Sequence, residues 1–102
     1  MRFLTILKMR IIWSKRAETD LFLEIGHIAK DSPQNALKVL QEIQYFVNDF
    51  GAFPYKYVAE PYYNDKDVRR AVIYSFKIVY KVYPDKIRIL RVFNANQKPN
   101  KI

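Results

Sequence analysis

The chain has 102 residues, half of them hydrophobic, with sixteen per cent aromatic residues and only two glycines, which describes one packed domain and excludes a disordered chain. With no cysteine and a single histidine, His27, disulfides, thiolate zinc sites and ordinary histidine metal clusters are excluded; neither metal nor cofactor is expected, and a reducing cytoplasm suits the chain. The net charge is +8 and uneven, with seven cations against six acids in residues 1–50 and eleven against four in residues 51–102, so the second half is fitted to nucleic acid or an acidic protein.

In chain order, the apolar start has neither the h-region nor the cleavage site of a signal peptide, and too many charges to span a membrane. Residues 1–8 read as a candidate N-terminal extension, with Met9 an alternative start. Arg10 to Trp13 reads as a strand, Trp13 being a core anchor. Ser14 stands at an N-cap position, followed at helical spacing by Ala17, Leu21, Ile25 and Ile28, with Phe22 beside them; the spacing predicts a helix from Lys15 to about Lys30. Asp31-Ser32-Pro33 breaks it, with Ser32 as cap and Pro33 in the next first turn. Ala36, Leu40, Ile43, Val47 and Phe50 continue as a second helix, and Gly51 is placed for a C-terminal cap. Together they form a helical hairpin with one apolar seam.

Pro54, Pro61 and the polar run 64–66 mark a long connection, with a short strand expected around Tyr57 to Glu60. Glu60 stands without an obvious partner. Three β-rich runs follow: Val68 to Ser75, Phe76 or Lys77 to Tyr83, and, after a turn at Pro84-Asp85-Lys86, Ile87 to Phe93. Strand parity puts Phe76, Ile78, Tyr80 and Val82 in the core and Lys77 and Lys81 outside. Ala71 and Ile73 point inward, so Arg70 shares the outer face with Lys77. Parity leaves Arg91 open, because it travels with Ile87, Ile89 and Phe93, whereas Arg88 goes with Leu90 and Val92. Arg69 and Arg70 read equally as functional cations and as strand-edge residues paired with Asp65 or Asp67.

The order of strand, helix hairpin, proline-marked connection and basic antiparallel sheet resembles the RelE/ParE superfamily of toxins from type II toxin–antitoxin systems. The resemblance rests on Ile12-Trp13-Ser14 running into Ala17, Asp31-Ser32-Pro33 with Ala36, Phe53-Pro54, Val68-Arg69-Arg70, Ile78-Val79-Tyr80-Lys81-Val82 before Asp85-Lys86-Ile87, and the ending from Gln97 to Ile102. It implies an α+β fold over residues 1–102: an N-terminal strand, an antiparallel helix hairpin, and a twisted antiparallel sheet of three to four strands. It also implies a cytoplasmic growth inhibitor held by a cognate antitoxin in a hetero-oligomer.

Two activities occur in that superfamily: ribosome-dependent cleavage of messenger RNA in RelE-like members and poisoning of DNA gyrase in ParE-like members. For the nuclease, cations must hold the charge developing on phosphate. The resemblance gives that role to Arg70, Lys77 and Lys98, with Arg69, Lys81, Arg88 and Arg91 as partner- or RNA-binding residues. The tail departs from the RelE-like pattern, since Lys98 is the only cation near the place of an arginine and no tail tyrosine follows. It equally lacks the histidine and arginine that many ParE-like chains carry near this place, so the sequence fits the superfamily better than either branch. The alternatives are a non-toxic nucleic-acid-binding module and an inactive toxin remnant.

Overall fold

The computed structural model describes residues 8–94. Its elements are β1 (Arg10–Trp13), α1 (Lys15–Asp31), α2 (Pro33–Asn48), a 3-10 turn (Asp49–Gly51), β2 (Val68–Ile73), β3 (Phe76–Val82) and β4 (Lys86–Asn94). The four strands form one sheet in the order β1-β4-β3-β2. The three later strands pair antiparallel, while β1 lies parallel to β4 with Arg10 beside Lys86 and Ile12 beside Arg88. The sheet is therefore mixed.

Both helix starts follow their capping residues. Ser14 Oγ accepts from the Ala17 amide at 3.0 Å, and Ser32 Oγ accepts from the Asn35 amide at 3.1 Å. One core joins the hairpin to the inner face of the sheet: Ala17, Leu21, Val39, Ile43, Val47 and Phe50 meet Ala71, Phe76, Ile78, Tyr80, Ile87 and Ile89. Leu40, Ile25, Ile28 and Trp13 are only partly buried against it. Phe22 turns away from the seam and is 79 % exposed.

Gly51 is not a left-handed cap, since no glycine has positive φ. Instead α2 tightens into the 3-10 turn, and the Met9 amide donates to Gly51 O at 3.0 Å. A Cβ at Gly51 would collide with the Met9 carbonyl oxygen. The strand expected near Tyr57 to Glu60 is reduced to a single bridge, Ala59 with Arg69. Around it Arg70 N donates to Val58 O and Glu60 N to Val68 O, so the connection covers the first half of the β2 edge.

The hairpin between β2 and β3 turns earlier than periodicity suggests, at Tyr74-Ser75. Tyr74 takes φ 54°, a conformation in which a bulky residue is strained, and its side chain projects into solvent. In β4, Val79 pairs with Arg91 but Tyr80 pairs with Ile89. Leu90 is thus an extra residue without a partner on β3, a bulge that reverses parity. Ile87 and Ile89 before it, and Val92 after it, all enter the core, while Arg91 and Phe93 pass to the outer face beside Val79 and Lys77.

Candidate functional site

The outer face of the sheet carries the cations, and the connection supplies their counter-charge. Glu60 precedes Pro61, and a residue before proline is confined to extended conformations. Running extended along β2, it delivers its side chain over the sheet, where the whole residue is 1 % exposed. Lys77 Nζ lies 3.1 Å from Oε2 and Arg70 Nη1 lies 3.8 Å from Oε1. The lysine contact is a charge contact rather than an aligned hydrogen bond, for Oε2 makes none. Lys77 also stands 5.6 Å from the centre of the Phe93 ring and 5.8 Å from that of Tyr62, both favourable positions for a cation. Below them Val68, Val79 and Phe93 form a small second core, with Tyr63 and Leu90 against it. The sequence left Glu60 alone; the structure gives it two partners.

Arg91 is held at the other margin. Where β1 ends, the start of α1 takes over the edge of β4: Ser14 N donates to Ile89 O at 3.0 Å and Ser14 Oγ to Leu90 O at 3.1 Å. Further along, Asp20 Oδ2 accepts from the Val92 amide at 2.9 Å and from Arg91 Nε at 2.7 Å. A second guanidinium nitrogen reaches Asp20 Oδ1 at 3.3 Å, and the two side chains are only 12 % and 14 % exposed. Asp20 thus completes a missing strand's hydrogen bond with a carboxylate. Periodicity treats it as an ordinary outward helix position.

Arg69 lies on the inner side of β2 and is bound by backbone rather than by acid. It donates to Lys66 O at 2.9 Å and Tyr57 O at 3.0 Å, and its guanidinium stacks 4.8 Å from the Tyr55 ring. The carboxylates expected beside it are taken elsewhere. Asp67 accepts from Tyr55 Oη at 2.7 Å, which raises the pKa of that phenol. Asp65 meets Lys81 at 2.8 Å; the lysine holds the carboxyl below its usual range and is itself raised. Tyr80 is a core residue, stacked on Phe50 at 4.3 Å and donating to Pro54 O at 2.7 Å, and burial pushes its phenol pKa up.

The remaining cations gather at the opposite end of the outer face. Arg88 lies beside Lys81 on β3 and beside Ile12 on β1, while Lys86 lies beside Arg10. Of the seven site residues expected from the sequence, Arg70 and Lys77 are brought together; Arg69, Arg91 and the Lys81–Arg88 pair occupy three separate places. Lys98 and the expected N-terminal extension as far as Leu7 lie outside the described residues. Among the described residues no three His, Asp or Glu side chains gather as a metal site, and no helix is long and apolar enough to cross a membrane.

A family model for the ParE toxin of the type II toxin–antitoxin system parDE matches residues 11–99. The chain belongs to the ParE toxin family. Its fold is similar to a solved chain of the chromosomal ParDE toxin–antitoxin system from P. aeruginosa, with a TM-score of 0.73 and 24% identity over 87% of this chain and 98% of that one. Curated proteins gave no match. The superfamily resemblance read from the sequence is thereby borne out, and with it the toxin role in a type II toxin–antitoxin system and an antitoxin as partner.

Proposed function

We propose that this ParE-family toxin arrests growth by binding a protein target, DNA gyrase, and that it is not a messenger-RNA nuclease. The observation that carries this reading is the fully buried Glu60 carboxylate between Arg70 and Lys77. A cation that must hold charge developing on a phosphate needs to be free to meet it. Here both cations already have a fully buried anionic partner, which solvent and phosphate cannot displace as they can an exposed one, and Arg91 is committed to Asp20. Family membership supports the same reading, because gyrase poisoning is the activity associated with ParE-like members.

The antitoxin is expected to cover the helix hairpin, where Phe22, Leu23 and Leu37 stand exposed and Phe22 borders a groove with Trp13, Ile25 and Leu40. An amphipathic segment that lays its apolar face on those side chains and carries acidic residues round to the basic sheet would satisfy both. A gyrase target makes the cytoplasm the working compartment of the toxin and of its hetero-oligomer with antitoxin. Two assays on purified chain decide the target. Inhibition of gyrase supercoiling, relieved by antitoxin, is the expected result; cleavage of message on programmed ribosomes with supercoiling unaffected would assign the chain to the nuclease class.

A further inference from the structure

The end of the outer sheet face away from Glu60 carries like charges side by side. Arg10 and Lys86 are neighbours across β1 and β4, and Arg88 and Lys81 are neighbours across β4 and β3. Like charges directly opposite one another on a sheet are destabilising, and here two such pairs adjoin. The counter-charge is thin: Asp65 lies 2.8 Å from Lys81 and Asp85 lies 3.7 Å from Lys86. Arg10 and Arg88 are exposed and have no carboxylate partner among the described residues. Both lysines are drawn over one ring, 5.4 and 4.8 Å from the centre of Tyr83, which concentrates positive charge instead of dispersing it.

We propose that Arg10, Lys81, Lys86 and Arg88 form a binding site for the phosphodiester backbone of nucleic acid. The inference goes beyond the gyrase assignment and does not depend on it. Strand geometry spaces these positions about 4.8 Å across the sheet and about 6.6 Å along it, a flat grid that offers separate cations to successive phosphates. Two of the four are arginines, whose planar forks match phosphate oxygens bidentately. The patch has few apolar side chains to anchor a protein, Ile12 and the Tyr83 ring being the main ones, whereas protein interfaces concentrate their energy in buried aromatic and apolar anchors. An acidic polypeptide therefore fits it less well than a polyanion read through its backbone.

The test is a salt titration of the full chain against a random-sequence DNA duplex, followed by fluorescence anisotropy. Four phosphate contacts predict a slope of log K against log salt of about −3.6 for the duplex and about −2.8 for a single strand, hence roughly a 150-fold loss on the duplex between 50 and 200 mM salt. Arg10→Ala/Arg88→Ala should halve the duplex slope, to about −1.8. Lys30→Ala/Lys38→Ala, which removes the same charge from the helices, should leave it unchanged. Circular dichroism establishes that both variants are folded. Equal slopes for the two folded double variants would overturn the site, as would absence of binding by the wild type at low salt. A polyglutamate of matched charge that bound as tightly as DNA would overturn the nucleic-acid assignment in favour of an acidic polypeptide.

Discussion

The two ends of the outer sheet face are built from the same residue types yet behave as different materials. At one end Arg70, Lys77 and Arg91 each meet a buried or nearly buried carboxylate, from the connection or from α1. At the other end Arg10 and Arg88 meet solvent, and the lysines beside them are paired only at the rim. The difference lies in what is laid over the strands rather than in the strands themselves. A cation in a sheet becomes structural when a neighbouring segment brings a buried acid to it, and stays available when its acid is exposed at the rim or absent.

Substitutions that strip the counter-charge should break this contrast. Asp20→Ala has the largest expected effect, about 3 kcal/mol of stability by urea denaturation, because it removes the charge-assisted hydrogen bonds to a nearly buried guanidinium and takes the acceptor from the Val92 amide. Glu60→Ala should cost about 2 kcal/mol, less than Asp20→Ala because Arg70 and Lys77 retain part of their hydration. Ser14→Ala, which removes an N-cap that also ties α1 to β4, should cost about 1 kcal/mol.

The Lys81–Asp65 pair sharpens the contrast from the exposed end. The Asp65 pKa is lowered in the folded chain, so its contribution is present above the unfolded carboxylate pKa and is lost as pH falls through the depressed value. The raised Lys81 has the mirror behaviour: its contribution is present below the unfolded lysine pKa and lost as pH rises through the folded one. Following the Asp65 carboxyl by NMR, Lys81→Met should move its pKa upward; an unmoved titration would show that the pair does not persist in solution.

Much of the framework was legible because it is local. Caps, helical spacing and strand parity each depend on a few adjacent residues, and Ser14, Ser32 and the inward set of β3 lie where those signals put them. Three features were not legible for the same reason. The bulge at Leu90 follows from how β4 must meet both β3 and the start of α1, so strict alternation could not settle the face of Arg91. Gly51 is required by the close approach of Met9, a contact between distant segments. Glu60 finds Lys77 only once the connection has folded back, although Pro61 already restricted it to an extended path. Arg70 and Lys77 were rightly placed on one face, while the acid that defines their role was the part no short-range pattern carries.

The most direct test replaces that acid and its lysine together. Glu60→Gln/Lys77→Met removes opposite charges at once, which for a buried pair is far less costly than removing either alone. Expressed without antitoxin, the double variant is expected to arrest growth as the wild type does, since Lys77 has a structural task in this account and no chemical one. A double variant that folds and binds antitoxin normally but leaves growth untouched would contradict it.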